Sequence, residues 1–137
     1  MVSDTTSEVF PVWFVGASSV KRLTEKEAAR FIVWFQARLG MQDWTWEIGV
    51  QDNPPDWIKL CSRGDVAACV CDARDKKAKV WISPARATGY RDQLVSLAHE
   101  AMHAVAVDVG ISGDETPRKE YLWDCLGAVL AAAFEKE

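Results

Sequence analysis

Histidine is scarce in this chain: there are two among 137 residues, at positions 99 and 103. A site built on three imidazoles is therefore excluded. No C-x-x-C pair occurs among the four cysteines, Cys61, Cys69, Cys71 and Cys125, so the usual zinc-thiolate and dithiol-redox spacings are missing. No apolar run approaches the ~20 residues that a membrane-spanning helix needs. The longest lies around Leu126 to Phe134. No dense basic run appears either: 16 Lys and Arg stand against 20 Asp and Glu, for a net charge of −4 and a pI of about 5.2. Phosphate binding needs a basic footprint, so a nucleic-acid partner is disfavoured. The opening residues Met1-Val-Ser-Asp-Thr-Thr-Ser-Glu lack the basic and then apolar pattern of a secretory signal. Together these absences lead to the expectation of a cytoplasmic protein with no membrane and no nucleic acid among its partners. The cysteines are expected as free thiols of a reducing compartment. Cys69 and Cys71 share one face of a strand, at a spacing too long for an easy disulfide.

What the sequence does contain is apolar mass in periodic segments. Hydrophobic residues make up 49% and seven are tryptophan, enough for one domain with a modest core. Residues 1–23 show no clear periodicity. Phe10-Pro-Val-Trp-Phe-Val is expected to pack as an extended arm ahead of a single domain over 24–137. Thr24 and Glu27 have capping-box spacing. Ala28, Phe31, Ile32, Phe35 and Leu39 follow at helical intervals, and Gly40 ends the helix. Trp44, Trp46, Ile48 and Val50 alternate as one face of a half-buried strand. A loop from Asn53 runs to about Gly64. Val66–Asp72 and Ala78–Ser83 flank the charged tip Ala73-Arg-Asp-Lys-Lys and read as a β-hairpin. A helix is predicted over about 91–109, with Leu94, Leu97, Ala98, Ala101, Met102 and Val105 as its apolar stripe and Gly110 at its end. Thr116 as N-cap and Pro117 at the first helical position start a last helix that runs to about Glu135. Its buried stripe is expected at Leu122, Leu126, Val129, Leu130 and Ala133. The fold class is α+β: one helix, a small three-stranded sheet and two further helices.

Both histidines fall inside His99-Glu100-Ala-Met-His103. On a helix, residues four apart lie on one face, one turn apart, so both imidazoles can reach one zinc ion. Glu100 is rotated ~100° from His99 by the helical period, which lets it serve a metal-activated water as general base without being a ligand. The two other readings are an ordinary helix with satisfied histidines and a metal-stabilised binding module without turnover. The first ignores that the only two histidines fall at this spacing. The second has no use for Glu100.

A catalytic zinc needs a third protein ligand. No histidine remains, and of the cysteines only Cys125 falls near a suitable position. A carboxylate is then expected. Measured along two antiparallel helices at ~1.5 Å per residue, His103 lies ~9 Å and His99 ~15 Å from the end at Val109. Glu120 lies ~6 Å and Asp124 ~12 Å from Thr116. Glu120 has the longer reach and suits the metal. Asp124 suits the second ring nitrogen of His99, fixing its tautomer. The reverse assignment, with Asp124 as ligand, stays open, and Glu115 is a weaker candidate. Gly127, one turn beyond Asp124, allows the two helices to approach closely.

His99-Glu100-x-x-His103 followed by Glu120-x-x-x-Asp124 resembles the gluzincin zinc peptidases. The order of elements over about 24–135 is similar to their smallest members, the minigluzincins. The resemblance implies a zincin-like domain, a Zn(2+) cofactor held by His99, His103 and Glu120, and Glu100 as general base of peptide hydrolysis. It also implies a peptide substrate aligned on an edge strand, here at about 66–72. The family usually steadies the oxyanion with a downstream His, Tyr or Arg. This chain has no residue identifiable as its counterpart, and Tyr121, Arg118 and Tyr90 are the candidates. The expected function is zinc metalloendopeptidase, acting broadly or as a regulatory protease on one partner.

Overall fold

In the computed structural model, residues 21–58, 65–87, 89–111 and 117–137 are described. The arm before residue 21, Cys61, Glu115 and the Thr116 cap lie outside them. The fold is α+β, with three helices and one mixed three-stranded sheet among the described residues.

Helix α1 spans Glu25–Leu39. The Thr24 hydroxyl accepts the Glu27 amide at 3.1 Å, as a capping box requires, but the Glu27 carboxylate turns to the Tyr90 hydroxyl at 3.2 Å. The helix buries Ala28, Phe31, Ile32 and Phe35, while Leu39 ends exposed.

Strands β1 (Thr45–Val50), β2 (Ala67–Asp72) and β3 (Lys77–Ile82) pair in the order β1-β3-β2. β2 and β3 form the expected antiparallel hairpin, and β1 runs parallel to β3 on its other side. Asp72 shapes the hairpin tip by accepting the amides of Arg74 and Asp75 at 3.0 and 3.1 Å. Lys76 closes it in the left-handed region at φ 53°. The register lines up three rows on the inner face: Trp46–Ala78–Cys71, Ile48–Val80–Cys69 and Val50–Ile82–Ala67. Cys69 and Cys71 therefore look inward with the core residues, and Val70 looks out.

Helix α2 spans Tyr90–Asp108 and lies across β2 and β3, while α1 covers β1. Gly110 follows α2 at φ 83°, and Ile111 donates back to the Ala106 carbonyl at 2.8 Å, a left-handed stop that glycine adopts without strain. Besides the Tyr90–Glu27 contact, polar tethers fix α2 to the segments just before α1 and β1. The Leu23 amide donates to buried Gln93 at 2.6 Å, and the Trp44 indole N–H donates to Asp108 at 3.0 Å. Helix α3 spans Pro117–Glu135 and packs on α2. Its Phe134 meets Phe31 edge-on, at 5.2 Å between centroids, which closes the core from α1 to α3.

The buried face of α3 is not the expected one. Leu122 and Val129 are 48% and 65% exposed, and Ala133 is exposed too. Trp123, Gly127, Ala131 and Phe134 are buried, with Leu126 and Leu130 half-buried beside them. The helix is turned by about one residue, ~100°, from the leucine–valine stripe. α3 carries apolar residues on more than one side, so periodicity alone does not choose its face. Close approach to α2 does, and it selects the glycine and alanine positions.

Candidate metal centre

The site is built where α2 and α3 meet beneath β2. A Cβ on Gly127 would stand 3.0 Å from the Val95 carbonyl oxygen and 3.2 Å from the His99 amide, so the helices touch backbone to backbone at that level. This contact brings the two carboxylates of α3 onto the histidines of α2. Asp124 Oδ1 lies 2.7 Å from His99 Nδ1. Glu120 Oε1 lies 3.0 Å from His99 Nε2, and its Oε2 lies 3.6 Å from His103 Nε2. His99 is buried among these groups, and the Trp123 ring stands edge-on to His103 at 6.2 Å.

These distances test whether a metal ion fits. Two donors each ~2.05 Å from a tetrahedral zinc stand about 3.3 Å apart. Glu120 comes near that value with a different oxygen on each side, Oε1 at 3.0 Å from His99 Nε2 and Oε2 at 3.6 Å from His103 Nε2. Glu100 stands farther off, with Oε2 at 3.9 Å from His99 Nε2. A ligand atom each from His99, Glu100 and His103 also fall within 4.8 Å of one another, a looser cluster that by itself would name Glu100 as third donor. The contacts of Glu120 with the two rings are shorter than that of Glu100 with His99, so an ion held there would favour Glu120 as third donor, with Glu100 beside it.

The charge pattern agrees. Both ring nitrogens of His99 face carboxylates, yet a neutral imidazole carries one N–H. With Nδ1–H donated to Asp124, Nε2 offers a lone pair toward His103 and Glu120, and a cation between them satisfies all three. Burial, with the neighbouring His99, holds His103 below the ordinary histidine pKa against the opposing pull of Glu120. A neutral, ligating ring is thereby favoured near neutral pH.

The centre opens on a groove between α2 and β2, which is an edge strand among the described residues. A hollow of about 710 Å³ on the His103 side is lined by Glu100, His103, Glu120, Cys69 and Cys71. A second, of about 260 Å³ on the His99 side, is lined by Ser96, His99, Glu100 and Asp124. Glu100, Asp65 and Ala67 line both, so Glu100 stands at the middle of the groove.

The three candidates for an oxyanion partner are not gathered here. Tyr90 opens α2, and its hydroxyl donates to Glu27 of α1. Tyr121 is 70% exposed, with its phenol pushed up in pKa by the Cys125 thiol one turn on. Arg118 is exposed at the start of α3. Two groove residues carried no sequence signal for that place: Cys69 and Cys71, whose sulfurs lie 3.3 Å apart. Alternation put both thiols on one face, but only the packing of α2 under β2 puts that face in the groove. Their mutual hydrogen bond pushes the Cys69 thiol up and lowers Cys71, and the charge of Glu100 raises both.

Comparison with protein-family models, with curated proteins and with solved structures finds no match. Among the described residues, no helix is long and apolar enough to cross a membrane.

The Gly127 contact yields a direct expectation. Gly127→Ala gains about 1 kcal/mol of helix propensity. The new methyl group must push two backbones apart at a cost of about 1–3 kcal/mol. The variant should therefore melt no higher than the parent despite its better helix former. It should also hold metal more weakly, because Glu120 and Asp124 move with α3. Unchanged metal affinity together with a raised Tm would show that the helices have room to spare.

Proposed function

We propose that the chain is a zinc-dependent endopeptidase of the gluzincin type, cutting a peptide laid along β2. One observation carries the reading: His99, His103 and Glu120 converge from two helices while Glu100 stands beside them at the middle of a groove next to an edge strand. A fold that needed only a structural metal has no use for a carboxylate so placed.

His99, His103 and Glu120 would hold the ion. An ion held there would supply Lewis acidity to a water and to a carbonyl oxygen. The remaining work belongs to the chain. Asp124 holds the His99 ring by its Nδ1–H and so keeps Nε2 directed inward. Glu100 takes a proton from the attacking water and hands it to the leaving amine nitrogen as the C–N bond breaks. The edge of β2 that has no neighbouring strand among the described residues would offer main-chain donors and acceptors to an extended substrate, fixing its scissile bond beside Glu100. The chain's acidic balance suits a peptide rather than a nucleic acid. The free thiols Cys69, Cys71 and Cys125 suit the cytoplasm.

The test is a digest of a peptide pool by the zinc-loaded protein. Cleavage should stop with a chelator and return on adding zinc. A broad peptidase cuts many members of the pool, and a regulatory protease leaves most intact. A protein that carries one zinc per chain and cuts nothing, neither pool nor protein substrates, would overturn the reading in favour of a metal-stabilised binding module.

A further inference from the structure

The groove has a second cluster of metal-ligating atoms that the peptidase reading does not use. Cys69 and Cys71 stand two apart on β2, both half-buried and pointing inward, with sulfurs 3.3 Å apart. They line the same hollow as Glu100 and His103, but from the sheet rather than the helix. We propose that Cys69 and Cys71 form a separate two-thiolate chelate for a thiophilic metal ion on the sheet wall of this groove. The inference does not depend on the peptidase reading.

Geometry separates chelation from oxidation as the chemistry of this pair. A disulfide needs an S–S distance of about 2.05 Å and a Cα separation of about 4.4–6.8 Å. Positions i and i+2 of a strand are about 6.4–6.8 Å apart, at the far end of that range, and the sulfurs would have to close by more than ~1 Å. Two thiolates on a tetrahedral ion, with bonds of about 2.3 Å, stand about 3.8 Å apart. The sulfurs need part by only ~0.5 Å, which side-chain torsions supply without moving the strand. The strand is also held: Cys69 is paired with Val80 and Cys71 with Ala78 on β3, so the two thiols are presented together rather than brought together on binding. The open half of the coordination shell faces the groove, where the Glu100 carboxylate favours a cation. Soft thiolates select thiophilic ions over the hard cations that carboxylates alone would take.

The probe is cadmium, added to the reduced full chain and followed by its ultraviolet thiolate-to-cadmium charge-transfer band. The background is Cys61→Ser with Cys125→Ser, which leaves only this pair. One equivalent should give the band, and it should persist when His99 and His103 are also replaced by alanine. It should be lost in Cys69→Ser and in Cys71→Ser. A band lost with the histidines would mean that one ion is shared by sulfur and nitrogen, and the separate site would be gone. A band absent from the Cys61/Cys125 background, or retained by both single-thiol variants, would overturn the proposal as well. A second measurement needs no variant. Phenylarsine oxide joins two thiols to one arsenic, its oxygen leaving as water with both thiol protons. The adduct should map to a single peptide containing residues 69–71. Labelling confined to Cys61 or Cys125 contradicts the chelate.

Discussion

Glu120→Ala should give a protein that no longer retains zinc, while Asp124→Ala still does. The difference follows from which nitrogen each carboxylate meets. Glu120 reaches both Nε2 atoms, Oε1 at 3.0 Å and Oε2 at 3.6 Å, and is therefore the proposed third ligand. Removing it leaves two imidazoles, too few for a tight site. Asp124 meets His99 on the other side of the ring, at Nδ1. Its loss frees the ring to turn and removes a hydrogen bond that makes it a better donor, a change worth about 10–100-fold in affinity. Thermal melting separates the two cases independently. A ligand at 1,000 times its Kd stabilises the folded state by about 4 kcal/mol. Added zinc should therefore raise the Tm of Asp124→Ala at sufficient concentration and leave Glu120→Ala where it was. Neither substitution should unfold the apo protein, since each removes an acceptor worth only about 1 kcal/mol net. The opposite pattern, with zinc retained by Glu120→Ala and lost by Asp124→Ala, would exchange the roles of the two carboxylates.

How far the site was legible follows from how local its determinants are. The four-residue spacing of His99 and His103 is a property of one helix, so their convergence follows from the sequence alone. The rise of ~1.5 Å per residue extends that reach to a neighbouring antiparallel helix, and it brought both Glu120 and Asp124 to the level of the histidines. It could not say that Glu120 sits between both rings, nearer His99, because that depends on how closely α3 approaches. Gly127 hinted at the approach, and its backbone contacts at Val95 and His99 set it. The same contact decided the face of α3, where leucines and valines misled: Leu122 and Val129 face solvent while Trp123 and Ala131 go in. The hairpin and its charged tip were readable from alternation and turn residues. The placing of β3 between β1 and β2 was not, because strand order is settled by contacts remote in sequence. Tyr90 illustrates the limit of residue type as a guide. It sits at the mouth of the motif helix in sequence, yet its hydroxyl is engaged by Glu27 from a helix 63 residues earlier.

Glu100→Gln should abolish peptide cleavage without removing the metal. Glutamine matches glutamate in size and keeps an oxygen acceptor, so the packing of α2 under β2 is preserved. Glu100 is the outer carboxylate of the cluster, 3.9 Å from His99 Nε2, whereas Glu120 comes within 3.0 Å. Zinc content should therefore equal that of the parent. What the amide cannot do is accept the proton of the attacking water and deliver it to the leaving amine. A positioned base contributes about 10²–10⁴-fold, so kcat should fall by at least that order. The comparison with Glu120→Ala makes the two carboxylates separable: one variant is empty and silent, the other loaded and silent. Lowered zinc content in Glu100→Gln would instead make Glu100 a ligand, as the looser distance cluster suggests. Full activity with full zinc would be the more damaging result. It would leave the groove, the edge strand and the metal in place and take away the residue assigned to move the proton.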